Sequence, residues 1–303
     1  MRWLAVAELP HRLSLVRRLA GLRRRFTAET TSSVLPAIVQ ALDPVDRTTR
    51  LQLIAALGDC SASVPAEVRQ LVLPDAVAPE QRALEAGILS VANRLAPAAF
   101  RMARPLPDYL TLHVRAEARL PLLAALVPSE TSVGLVGVAG LRVRPFRRHV
   151  ELYLLGTTAR VSLATVSYDI WRDAVADRDP AWLNWRQPPP LTDAELSTVP
   201  ARHALASSIA SSLLRRTGLF PLAPNVVASA REACQVDWSG GASTSSIAAA
   251  LTHPLCGLPD VPARIARVTD QHLTIAVANG AASVALSGPD LTCPAVTGET
   301  GRR

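Results

Sequence analysis

The sequence predicts an α+β fold, and three observations carry that prediction. The first hundred residues repeat their apolar side chains at helical spacing. Thr131 to Ser167 then alternates short β-branched runs with Gly, Pro and Arg breaks, as consecutive strands do. Towards the C-terminus, Asn279-Gly280 separates the apolar runs HLTIAV and AASVALSG, which is the strongest short hairpin signal in the chain. The expected architecture is a mainly helical N-terminal third, a central and mostly antiparallel sheet, then further helices and a terminal β-hairpin. It divides into a helical region over 1–105 and an α+β core region over 106–303, or runs as one continuous domain.

Each element has its own signal. From His11 to Phe26, Leu15, Leu19, Leu22 and Phe26 form an apolar stripe opposite Arg12, Arg17, Arg18 and Arg23 to Arg25, an amphipathic helix with a solvated basic face. Asp43 and Pro44 suit the start of a second helix, with Gly58 at its end and Leu51, Ile54 and Leu57 facing inward. Pro79 to Leu95 repeats the pattern through Leu84, Ile88, Val91 and Leu95. Tyr109 to Val114 alternates as a strand with Leu110, Leu112 and Val114 on one face and His113 on the other. A short apolar helix over Leu120 to Leu126 precedes the strand-rich stretch, whose middle turn crowds Arg142, Arg144, Arg147 and Arg148.

Tyr168 to Pro190 is an unusual connection. It sets Trp171, Trp182 and Trp185 among four aspartates and ends in three prolines. Tryptophans on such a segment either tuck back onto the core or anchor a protein interface. Beyond it, Leu205, Ile209 and Leu213 step every four residues, with Arg215 and Arg216 in the last turn and Gly218 as a C-terminal cap. The other face of that helix, Ser207, Ser208, Ser211 and Ser212, is small enough for a neighbouring helix to approach closely.

Composition narrows the chemistry. The 303 residues are 49% apolar and 19% charged, so the chain folds, and it is long enough to bury a large core. All 32 basic residues are Arg. The absence of Lys removes Schiff-base, pyridoxal-phosphate, Walker A and kinase mechanisms. The net charge of +7 suits a phosphate-bearing partner, but the arginines are scattered.

Cys60, Cys234, Cys256 and Cys293 follow no disulfide-scaffold spacing, which points to a reducing, intracellular setting. With His253 three of them form at most half of a zinc knuckle pattern, and neither a metal nor a cofactor is expected. No apolar run is long enough and free enough of Gly, Ser, Asn and Pro for a membrane span or a secretory signal. There is no G-x-S-x-G elbow, so no catalytic residue is assigned. Asp193 and Glu195 fit the electrostatics of a helix start. Trp238 to Leu251, WSGGASTSSIAAAL, leads into a helix as a phosphate-cradling loop does, and with LLRRTGLFPL upstream it faintly resembles the nucleotide loop of HPr-kinase-like proteins. It lacks the Gly spacing and the Lys of a nucleotide loop, and a Ser/Thr-capped helix explains it.

Several short segments, in order, resemble the smaller triplex subunit of herpesvirus capsids. They are LRRRF at Leu22 to Phe26 with VLPAIV at Val34 to Val39, QLVLP at Gln70 to Pro74, LTLHV at Leu110 to Val114, and ELYLLGTTARVSL at Glu151 to Leu163. Asp75 stands where that family continues with a double proline. The resemblance implies a minor capsid protein that pairs with itself and joins a second protein between capsomers, located in the virion and the host nucleus. The sequence therefore points to a non-enzymatic structural or assembly protein acting through protein interfaces. Trp171, Trp182, Trp185, Arg142, Arg144, Arg147 and Arg148 are its candidate contact residues. Alternatives are a nucleotide- or phosphate-binding protein using Ser239 to Ser246, and an Arg-based nucleic-acid binder using Arg17 to Arg25.

Overall fold

The apolar stripe of the first segment does form a helix, and one longer than its spacing predicts. The computed structural model describes residues 5–59, 62–95, 99–198, 204–220, 226–230, 233–238, 241–259, 264–268, 273–277 and 282–288. In it, α1 spans Ala5–Thr27, burying Leu15, Leu19 and Phe26 while Leu22 packs against the core edge. Arg23 departs from the expected basic face. It is buried, 2.7 Å from Glu29, and also donates to the carbonyls of Val72 and Pro105. A charge is tolerated inside only when paired and bonded in this way.

Four helices follow: α2 (Thr31–Leu42), α3 (Arg47–Gly58), α4 (Ala66–Val72) and α5 (Pro79–Ala92). In α5, Leu84, Ile88 and Val91 are buried as the spacing predicts. In α3, two expectations are corrected. Asp46 is the cap, accepting the Thr49 N–H at 2.7 Å, so Asp43-Pro44 belongs to the preceding turn. Leu53 and Ala56 face inward, whereas Leu51 is 56% and Ile54 44% exposed. Both faces of α3 carry apolar residues, and only the position of α1 beside it decides which is covered.

The first sheet contains β1 (Phe100–Leu106), β2 (Tyr109–Val114), β5 (Leu141–Pro145), β6 (His149–Leu154) and β7 (Arg160–Ala164), with α6 (Arg119–Leu126) and a small hairpin, β3 (Ser129–Thr131) and β4 (Gly134–Val136), between β2 and β5. Its order is β1-β2-β7-β6-β5, antiparallel except for the parallel pair β2–β7. Leu110, Leu112, Leu141, Val143, Val150, Leu152, Val161 and Leu163 make the buried face. Register sets Arg104, Thr111, Ser162, Glu151 and Arg144 in one row on the other face. The free edge of β1 is closed by guanidinium groups: Arg23 donates to the Pro105 carbonyl and Arg215 to that of Leu106.

The second half adds α7 (Tyr168–Ala174), α8 (Asp193–Thr198), α9 (Ala204–Arg215) and α10 (Thr244–Leu251). A second sheet, not foreseen from the sequence, takes β8 (Val226–Ala230), β9 (Ala233–Trp238), β10 (Arg264–Val268), β11 (Leu273–Val277) and β12 (Ala282–Ser287) in the order β10-β11-β12-β9-β8. The expected terminal hairpin is its β11–β12 pair, in unbroken antiparallel register. Asn279-Gly280 and the tail from Thr297 lie outside the described residues.

The small face of α9 receives α5, as its serines suggest. Gly218 is no helix cap: it lies in a short 3-10 turn, Thr217–Leu219, where an added Cβ would come 2.5 Å from the Ala28 nitrogen. One hydrophobic core runs from Leu15 to Leu286 and joins the two expected regions across the 105/106 division. Among the described residues, no helix is long and apolar enough to cross a membrane.

Candidate functional site

The proline end of the Trp-rich connection is held to the first sheet by a buried side chain, Arg142 on β5. Its Nε donates to the Pro189 carbonyl at 2.8 Å and its Nη2 to that of Pro190 at 2.7 Å. Nη1 and Nη2 grip the two oxygens of Glu195 at 2.8 and 3.0 Å. The Trp182 ring covers the guanidinium, 5.0 Å from ring centroid to Cζ. This bidentate, stacked geometry uses the planar fork that only Arg supplies.

Glu195 is fixed as firmly. It accepts the Thr192 N–H at 3.0 Å, while the Thr192 hydroxyl accepts the Glu195 N–H at 3.2 Å, a capping box at the start of α8. It also accepts the Gly140 N–H. Burial alone would raise its carboxyl, but the bonds from Arg142, Thr192 and Gly140 prevail and hold it below the ordinary range. The sequence signal for this role was Thr192-x-x-Glu195, which a helix-dipole reading of Asp193 and Glu195 passed over.

The three tryptophans do not act alike. Trp171 is wholly buried on α7, its indole N–H without an acceptor among the described residues, so it serves the core and is not a contact residue. Trp182 packs partly against the core. Trp185 stays 37% exposed, with the Arg186 guanidinium 5.3 Å over its ring and exposed Leu183 close in sequence. The segment thus divides between tucking back and facing outward.

The basic cluster divides too. Arg142 is internal. Arg144 is half-exposed, 3.1 Å from Glu151 and 5.5 Å over the Tyr153 ring. Burial raises the Tyr153 phenol despite those two arginines, so it remains protonated. Arg147 and Arg148 are exposed at the β5–β6 tip, beside Phe146, which stacks on His149 at 4.4 Å. The structure therefore brings together Arg142, Trp182 and the proline segment, and leaves Trp185, Arg147 and Arg148 at the surface.

No family model matches the chain, and neither a curated protein nor a solved structure is significantly similar to it. What the site does must therefore come from its own residues.

Most groups suited to chemistry are committed elsewhere. Glu85 is wholly buried, bonded to Arg215 at 2.6 and 2.8 Å, to the Ser211 hydroxyl at 2.6 Å and to Gln81 at 2.7 Å. Asp75 holds Arg216 at 2.6 and 3.0 Å and the Ser212 hydroxyl at 2.8 Å. Arg216 and Arg69 also donate to the carbonyls of Cys256, Gly257 and Leu258. Arg215 and Arg216, expected as a last-turn charge on α9, instead act with Arg69 to tie α4, α5 and α9 to one another and to the segment after α10.

Burial pushes the Cys234 and Cys256 thiols up to about 12, which leaves them inert as nucleophiles. His253 accepts the Leu255 N–H on Nδ1, and burial lowers its pKa. Among the described residues no group of His, Cys, Asp and Glu would hold a metal. Cys60 and Cys293 lie outside them. The start of α10 is capped internally, because the Ser243 hydroxyl accepts the Ser246 N–H at 3.2 Å. Gly241, Ala242, Ser246 and Arg25 border a mainly apolar hollow there, while Ser239 and Gly240 are outside the described residues.

Proposed function

We propose that the chain is a non-enzymatic structural or assembly protein that works through protein–protein contacts, as its resemblance to the herpesvirus triplex subunit implies. The observation that carries this reading is the exposure of Trp185, with the Arg186 guanidinium over its ring, on a segment whose proline end is tied down. Arg142 holds Pro189 and Pro190 beneath the strap, and Glu195 holds Arg142, so the exposed aromatic sits on a preorganised segment. An anchored Trp beside an Arg is the side-chain pair most favoured at the centre of interfaces, and preorganisation lowers the entropic cost of binding. The commitment of Glu29, Asp75, Glu85 and Glu195 to buried arginines supports the same reading, because each of these carboxylates is already occupied by a structural ion pair.

Sedimentation of the full chain at micromolar concentration tests this. The expected result is self-association that Trp185→Ala with Arg186→Ala abolishes, with the unfolding midpoint unchanged. A monomer for the parent chain, or an association that ignores both substitutions, overturns the reading.

A further inference from the structure

Away from the strap, a cleft of about 480 Å3 separates the turn between α1 and α2 from the outer face of β1 and β2. Thr30 and Ser33 line one wall, and Arg101, Arg104 and His113 line the other. A second hollow of about 320 Å3 shares Ser33 and Arg104 and runs on past Pro36, Ala37 and Leu106. Together they make a trough with Arg101, Arg104 and His113 at one end and Ser32, Gln40, Pro36, Ala37 and Leu106 along the other, within the size range of small-molecule sites.

The basic end is built by a break in the strand. On β1, Phe100 faces Val114 and Met102 faces His113, so Arg101 is left unpaired in a β-bulge. Bulges re-aim side chains, and this one lets Arg101 line the same cleft as Arg104. Both arginines are exposed, and neither has an ion-pair partner among the described residues.

His113 lies between their fields: burial and the two guanidinium groups lower its pKa, and its Nδ1 has no partner among the described residues. Glu29, whose charge also reaches His113, is already held by Arg23 at 2.7 Å. The Thr30 side chain makes no capping bond, so the first amides of α2 add their dipole to the same end. The positive field is local, because the row that continues from Arg104 across the sheet passes the uncharged Thr111 and Ser162 before it reaches Glu151 and Arg144, which pair with each other.

We propose that this cleft binds a small phosphate monoester. Its dianion sits between Arg101 and Arg104 beside Thr30 and Ser33, and its organic part lies along Pro36, Ala37 and Leu106. Two planar guanidinium groups without a carboxylate partner are the arrangement that grips a phosphate bidentately. The short basic span, followed by uncharged Thr111 and Ser162, favours a compact ligand over a long polyanion. This site is independent of the assembly reading and lies on other residues.

Calorimetric titration of the full chain at constant ionic strength, with inorganic phosphate and with phenyl phosphate, is the test. Both bind, and phenyl phosphate binds several-fold tighter. Arg101→Gln with Arg104→Gln weakens both by at least ~10-fold while leaving the unfolding midpoint unchanged, since each loses charge-assisted bonds. Ala37→Leu fills the far end of the trough, lowering affinity for phenyl phosphate only. Absence of heat with both ligands at millimolar concentration overturns the proposal, as does equal binding by the double variant. Tighter binding of a single-stranded oligonucleotide through the same arginines also overturns it, replacing the monoester with a polyanion.

Discussion

Replacing Glu85 with Leu should unfold this protein more readily than almost any surface change. Glu85 and Arg215 are both fully buried, joined by two bonds of 2.6 and 2.8 Å, and Ser211 and Gln81 complete the carboxylate's shell. Glu85→Leu strands the Arg215 charge in the interior, with only the Pro74 and Leu106 carbonyls left to receive it. Removing one partner of a buried pair costs about 3–5 kcal/mol. For a chain of 303 residues at about 2.1 cal/mol/K of unfolding entropy per residue, a loss near 4 kcal/mol lowers Tm by about 6 °C.

Glu85→Leu with Arg215→Met removes both charges and should recover most of that loss. What remains is the cost, about 1–3 kcal/mol, of the Pro74 and Leu106 carbonyls that Arg215 no longer serves and of the Ser211 hydroxyl and Gln81 amide that lose their acceptor. Urea unfolding followed by tryptophan fluorescence measures Glu85→Leu, Arg215→Met and the double variant. A single variant costing under about 1 kcal/mol, or a double variant as unstable as the singles added together, refutes the claim that the charge is held by its partner.

Other expectations are equally direct. Trp171→Ala, unlike Trp185→Ala, should cost about 3–5 kcal/mol in urea unfolding because it empties a wholly buried site. Gly218→Ala should lower Tm, since its Cβ would stand 2.5 Å from the Ala28 nitrogen and 2.8 Å from the Phe26 carbonyl carbon, backbone atoms that move only with α1. Acid should destabilise the protein in a defined window. Burial favours protonated Asp75, but the Arg216 guanidinium overrides it and keeps the folded-state pKa below the ordinary 3.8. Glu195 is likewise held below 4.5. Carboxyls with depressed folded-state values stabilise fully above those ordinary values, and that stability is lost as pH falls through the lower folded ones. Asp75→Asn should therefore be less stable at neutral pH and show a flatter acid limb in urea midpoints measured from pH 5 to 2.

Local signals and long-range ones contributed differently to the site. Trp185 and Arg148 were legible as exposed residues because a polar segment and a hairpin tip are local features. Arg142 was legible as unusual but not as internal, because its partners, Pro189, Pro190 and Glu195, lie about fifty residues on. The cleft beside Arg101 left no trace, since it depends on a strand bulge and on the turn at Ala28, two irregularities that periodicity does not report.

By itself the sequence determined the helical character of the N-terminal third, the strands of the central sheet other than β1, the pairing of the terminal hairpin and the serine face of α9, all of which follow from side-chain spacing along one element. Tertiary structure alone decided which face of α3 is covered, that β8 and β9 join the hairpin in a second sheet, and that Arg23, Arg142, Arg215 and Arg216 are interior. The reason is physical. An arginine is as soluble as the acids and carbonyls that reach it allow, and those arrive from other elements only once the chain has folded.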